Sequence, residues 1–130
     1  MKKVLLDTNA YVRLLRGDQD VLDVLGNADT VFLSVIVLGE LFAGFKGGGR
    51  DVENRRQLDD FLRRPTVRIL SATLETAEIF GDLKERLRKA GTPIPINDVW
   101  IAAQTMESGS YLISFDAHFA AIPGLLRWRD

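Results

Sequence analysis

Asp7, Glu40, Asp98 and Asp116 are the side chains of this sequence best placed to do chemistry together. Asp7 directly follows the apolar run Val4-Leu5-Leu6, and Asp116 follows the run Tyr111 to Ser114. Glu40 lies inside a helical pattern and Asp98 at the start of another. Each has a bland explanation, because carboxylates cap helix starts and a helical glutamate is ordinarily a solvated charge. Their shared position is harder to explain that way. In an open parallel sheet, ligands bind at the carboxyl ends of the strands, and all four acids can meet at that edge. Two unit charges about 4 Å apart repel by roughly 4 kcal/mol at an effective dielectric of 20, so such a gathering calls for a cation. Oxygen-only ligation selects a hard ion, Mg²⁺ or Mn²⁺. Metals held this way activate water and bind phosphoryl oxygens, the chemistry of phosphodiester cleavage. Thr8, Asn9 and Ser114, beside Asp7 and Asp116, can supply polar support.

The elements that must position these acids follow from periodicity. Val4 to Leu6 reads as a short strand buried on both faces, with Thr8 or Asn9 available to cap the next helix. Ala10 to Leu15 and Asp20 to Leu25 are two short helices separated by Gly17 and Asp18. Thr30 to Leu33 is a second strand, and Ser34 caps a helix from Val35 to about Phe45. On that helix Leu38, Leu41, Phe42 and Phe45 face the core. Glu40 lies off the stripe, with Val37, Ala43, Gly44 and Gly47 on its side, which leaves space above the carboxylate. Gly47-Gly48-Gly49 lacks the Lys-Ser or Lys-Thr of a phosphate loop and reads as a turn.

Asp51 to Arg64 is a charged helix with a thin stripe of Val52, Leu58, Phe61 and Leu62, stopped by Pro65. Val67 to Leu70 is the third strand. Thr73 caps a long helix to Ala90, with Ala77, Phe80, Leu83, Leu87 and Ala90 as its buried stripe and Gly91 as its end. Asn97-Asp98 opens a well-buried helix carrying Val99, Trp100, Ile101, Ala102, Ala103 and Met106. Tyr111 to Ser114 is the fourth strand, Ala117 to Ala121 a short helix, and Leu125 to Trp128 a last strand. Strands alternating with helices imply an α/β fold with a mostly parallel sheet of about five strands.

The chain's 130 residues suit one domain over 1–130. With 46% hydrophobic and 27% charged residues it is neither disordered nor fibrous. No apolar run approaches the roughly 20 residues needed to span a bilayer, and the first run is too short for a signal peptide. Cysteine is absent, which removes thiolate chemistry and fits a reducing cytoplasm. With His118 as the single histidine, a protein-built zinc site is not expected; that residue reads as packed or capping. Trp100 and Trp128 read as core. A net charge of −1 argues against sequence-blind coating of nucleic acid but permits a local basic surface. Arg13 and Arg16, on the helix leaving Asp7, and Lys46 and Arg50, beyond the Glu40 helix, are the candidate phosphate contacts.

Four segments together carry a family resemblance: Leu-Leu-Asp7-Thr-Asn; Gly39-Glu40-Leu41 with Gly44; Asn97-Asp98-Val-Trp-Ile-Ala-Ala; and Ser114-Phe-Asp116-Ala-His118-Phe119 with Ile122-Pro123-Gly124-Leu125. In this order, nearly end to end, they resemble PIN-domain proteins of the VapC type, the toxin half of a toxin–antitoxin pair. The resemblance implies a three-layer α/β/α sandwich and a metal-dependent endoribonuclease. It places Asp7, Glu40, Asp98 and Asp116 in the family's acidic quartet. It also implies a homodimer neutralised by a small antitoxin, in a heterotetramer or larger assembly. Ser114 stands where a threonine is frequent, which keeps the hydroxyl.

Three other readings compete. A haloacid-dehalogenase-type phosphatase would place a second aspartate where Asn9 stands. A phosphoryl-accepting receiver domain would carry paired acids after the first strand and a late lysine, and neither is evident. A catalytically silent PIN-like interaction scaffold would keep the fold without needing the quartet.

Overall fold

The order of strands, rather than their number, decides where this protein can work. The computed structural model describes residues 2–129. Strands β1 (Lys3–Leu6), β2 (Thr30–Ser34), β3 (Val67–Leu70) and β4 (Tyr111–Ile113) form one sheet in the order β3-β2-β1-β4. Every pairing is parallel. From β1 the chain winds outward through β2 to β3, then crosses back to lay β4 on the other side of β1. The direction of winding reverses between β1 and β4, and at such a switch point the carboxyl ends of the strands open a crevice. Leu6 is in register with Ile113, so the residues after these strands, Asp7 and Ser114, emerge side by side.

Six α-helices among the described residues flank the sheet: α1 (Thr8–Leu15), α2 (Gln19–Gly26), α3 (Val35–Gly47), α4 (Asp51–Leu62), α5 (Leu74–Ala90) and α6 (Ile96–Ser108). A 3₁₀ turn spans Ala117–Ala121. Val4, Leu5, Leu6, Leu33, Leu112 and Ile113 have no exposed surface, as continuous apolar strands covered on both faces require. Helix α3 contributes Val37, Leu38, Leu41 and Phe45 to the same core, and α6 contributes Val99, Ile101, Ala102 and Ala103. Burying a Leu, Ile or Phe side chain is worth about 1.5–3 kcal/mol, so β1 and β4 are firmly held under the site.

The expected fifth strand reduces to a single parallel bridge, Leu112 to Arg127. Leu112 donates its amide to the Leu126 carbonyl and accepts from the Trp128 amide, and the ladder goes no further. Pro123 and the turn at Gly124, whose φ is 81°, lead directly into this segment. Two buried stripes are also corrected. Val52 is 76% exposed, so α4 is anchored by Leu58 and Phe61 instead. On α5 Ala77 and Ala90 are exposed, and the buried face runs through Thr76, Leu83 and Leu87 with Phe80 partly buried. Thr76 tolerates burial because its hydroxyl donates to Glu107 of α6 at 2.6 Å. Trp100 and Trp128 are half-buried. Trp100 stacks on Phe80 with ring centroids 3.9 Å apart, and Trp128 donates its indole N–H to the Ser114 carbonyl.

Candidate active site

Asp7 caps α1 itself, in place of Thr8 or Asn9: its Oδ1 accepts the Ala10 amide at 2.8 Å. Its other oxygen accepts the Ser114 hydroxyl at 2.5 Å, across the β1–β4 switch point. The Asp7 amide donates to the Ile113 carbonyl, so backbone and side chain are both tied to the neighbouring strand. The residue is 6% exposed. Burial pushes its carboxyl above the usual range; Ser114 and the Ala10 amide oppose that, while the charges of Asp98 and Asp116 raise it further.

Thr8, released from capping, donates its hydroxyl to Glu40 at 2.6 Å. The second Glu40 oxygen receives the Asn97 side-chain amide at 3.4 Å. Glu40 is thereby aimed at the starts of α1 and α6 rather than left to solvent. A β-carbon at Gly44 or Gly47 would meet nothing within 4 Å, in keeping with open space on Glu40's side of α3.

Asp98 occupies the first turn of α6, which starts at Ile96 behind Pro95. Burial raises its carboxyl most, His118 opposes the shift, and the charges of Asp116 and Glu40 add to it. Asp116 precedes the 3₁₀ turn and accepts the His118 amide at 2.9 Å. The Ser114 hydroxyl also accepts the Asp116 amide, so one side chain orients both strand-end acids. The charges of Asp98 and Asp116 act on Asp7, and those of Asp116 and Glu40 act on Asp98, so these carboxylates lie near one another at this edge.

Two side chains here were not anticipated. His118 is neither packed nor merely capping. Its ring is half-exposed, and Nδ1 lies 3.0 Å from Asp116 Oδ1 and 3.4 Å from Asp98 Oδ2. Asn97 steers Glu40, and the only sequence signal for it was its adjacency to Asp98. Among the described residues, Asp98, Asp116 and His118 each offer a ligand atom within 4.8 Å of the others. Neighbouring ligands of an octahedral ion at about 2.1 Å lie about 3 Å apart, close to the 3.0 and 3.4 Å between His118 Nδ1 and the Asp116 and Asp98 oxygens.

Arg13 on α1 and Arg16 just after its end stand beside this pocket. With Asn9, Val12, Phe115, Asp116 and Ala117 they line a cleft of about 410 Å³. The Arg13 guanidinium lies 3.8 Å from the centre of the Phe115 ring and pairs with Asp18 at 3.6 Å. Lys46 and Arg50 are placed differently. Lys46 pairs with Asp51 and Arg50 with Glu53, and the depressions they line contain none of the four acids.

Residues 4–125 match the family model of the PIN domain. The chain belongs to the PIN-domain family. It is 33% identical over 118 residues to Ribonuclease VapC2 of Haemophilus influenzae, covering 88% of this chain and 86% of that protein. Its fold superposes on VapBC2 from Rickettsia felis, solved bound to a DNA fragment from the promoter, with a TM-score of 0.86 and 26% identity over 96% of each chain. It also superposes on VapBC-5 from Mycobacterium tuberculosis, a member of the VapBC family of toxin–antitoxin systems. That match has a TM-score of 0.76 and 25% identity, and covers 98% of this chain and 99% of that one. The expected PIN-like α/β architecture is therefore present, with four full strands.

Proposed function

We propose that this PIN-domain protein is a divalent-metal-dependent endoribonuclease, the toxin of a VapBC-type pair, held inactive by a small cognate antitoxin. The observation that carries the reading is the approach of Asp7, Glu40, Asp98 and Asp116 to the β1–β4 switch point, with Asp7, Glu40 and Asp116 hydrogen-bonded to polar neighbours and Asp98 facing His118. The likeness to Ribonuclease VapC2 and to VapBC complexes supports the substrate class and the partner. In those comparisons the relatives assemble as VapBC, so a homodimer carrying antitoxin in a heterotetramer or larger assembly is the expected form here.

Asp7, Asp98 and Asp116 would hold Mg²⁺ or Mn²⁺, with Glu40 binding it directly or through water. Such an ion supplies a Lewis acid for a phosphoryl oxygen and lowers the pKa of water, which serves in-line attack on phosphorus. The protein's own residues do the rest. Ser114 fixes the Asp7 carboxylate and the Asp116 backbone, so neither strand-end acid must reorganise during the reaction. Thr8 and Asn97 aim Glu40 across the pocket, where it can accept a proton from the attacking water. Arg13 and Arg16 bind the phosphates flanking the scissile one, and Arg13 is pre-ordered for this by its stacking on Phe115.

The test is to incubate purified protein with total RNA and Mg²⁺ and to sequence the new 5′ ends, with Asp98→Asn in parallel. Discrete ends made by the wild type and missing with the variant support the proposal; identical ends from both reject it. Co-expression with a small DNA-binding protein encoded beside the gene should yield a complex that makes no ends.

A further inference from the structure

We propose that His118 is a direct ligand of the bound metal, its Nδ1 completing a set with Asp98 and Asp116 that favours Mn²⁺ over Mg²⁺. This rests on the metal-dependent reading above and deepens it by naming a nitrogen donor in a site otherwise made of oxygen. The geometry points to it in three ways. First, a single ring nitrogen faces two carboxylate oxygens at once, at 3.0 and 3.4 Å, although a neutral imidazole N–H can serve only one of them. Those spacings match neighbouring positions around an octahedral ion, which are about 3 Å apart.

Second, the imidazole is held in place. The His118 amide is tied to Asp116 at 2.9 Å, and the next residue, Phe119, is fully buried and anchors the 3₁₀ turn. Third, the ring is 49% exposed, so it is not there to fill space in the core. Carboxylates and water suit Mg²⁺ and Mn²⁺ alike, but Mn²⁺, a transition ion, accepts an imidazole nitrogen that Mg²⁺ takes poorly. Exchanging one oxygen donor for nitrogen therefore moves the site's preference from Mg²⁺ toward Mn²⁺.

The chain has a single histidine, so tag-free protein labelled with [¹⁵N]histidine reports on this ring alone. Mn²⁺ is added, and pulsed electron paramagnetic resonance reads the nitrogen nuclei coupled to the ion. The expected result is a directly coordinated nitrogen whose signature changes from ¹⁴N to ¹⁵N with the label and vanishes in His118→Ala. In that variant Mn²⁺ affinity should fall about tenfold or more, while Mg²⁺ affinity changes less than about twofold. His118→Asp should regain Mn²⁺ binding without the nitrogen signal. The half-exposed ring makes folding of both variants straightforward to verify by thermal melting. Bound Mn²⁺ with no histidine nitrogen would overturn the ligand assignment and leave the acidic site standing. No bound Mn²⁺ in the wild type would overturn the metal reading itself.

Discussion

Replacing Asp7 separates its structural role from its chemical one, because the two depend on different properties of the side chain. The carboxylate caps α1 through the Ala10 amide and accepts the Ser114 hydroxyl, in a position 6% exposed. Asparagine keeps an acceptor oxygen and is as good a cap as aspartate. It also removes a buried charge that the Asp98 and Asp116 carboxylates repel. Asp7→Asn should therefore melt at or above the wild-type temperature in chelator. Alanine keeps none of this. Losing the cap costs about 0.5–2 kcal/mol, and leaving the Ser114 hydroxyl without its acceptor adds about 1–3 kcal/mol. A loss of about 3 kcal/mol should lower the melting temperature of a domain this size by roughly 10 °C. Both variants should lose RNA cleavage, asparagine as fully as alanine. The assay is paired: thermal unfolding by circular dichroism, and cleavage of a fluorescent RNA at 25 °C. An asparagine variant that melts as low as the alanine one would refute the capping argument. One that still cuts RNA at the wild-type rate would refute the chemical role.

The Tyr11 hydroxyl is buried without a hydrogen-bond partner among the described residues, so Tyr11→Phe should match the wild type or gain about 1 kcal/mol in denaturant unfolding. Burial pushes the Tyr11 phenol up to about 12 from an ordinary 10.0. A raised folded-state value means stability is intact below pH 10 and lost as pH rises through 12. The wild type should thus lose stability over that window that Tyr11→Phe keeps, and equal losses would contradict the assignment. Arg13→Ala and Arg16→Ala should weaken RNA binding and each reduce the slope of log affinity against log salt by about 0.7; an unchanged slope removes that residue from the phosphate contacts. Saturating Mn²⁺, at about 100 times its dissociation constant, should stabilise the wild type by roughly 2.7 kcal/mol and leave an Asp98→Asn/Asp116→Asn double variant unmoved in a melting assay.

Much of this site was readable from the amino-acid string because strand ends announce themselves. The Val4-Leu5-Leu6 run reads as a doubly covered strand, and that puts Asp7 at its carboxyl end. Tyr111 to Ser114 makes the same statement for Asp116. The glycines at 44 and 47 marked open space on Glu40's side of α3. What stayed hidden depends on distance in space rather than along the chain. Whether His118 turns toward core or cleft is decided by how the 3₁₀ turn packs through Phe119, and nothing local to the sequence encodes that. The buried face of α5 was misjudged because Thr76 looks polar, yet its partner Glu107 is 31 residues away. Leu125 to Trp128 carries a strand's composition, but among the described residues its pairing with β4 is limited to the Leu112–Arg127 bridge. Lys46 and Arg50 looked close to Glu40 by sequence, but Lys46, near the end of α3, and Arg50, at the N-cap of α4, pair with acids of α4.

The central claim is that a divalent ion makes this cluster of carboxylates a nuclease, and chelation tests it most directly. Wild-type protein stripped with EDTA, assayed on RNA, then given back Mn²⁺ or Mg²⁺ in the same tube, should go from silent to cutting at one fixed set of positions. Cutting at those positions while the chelator is still in excess would contradict the account.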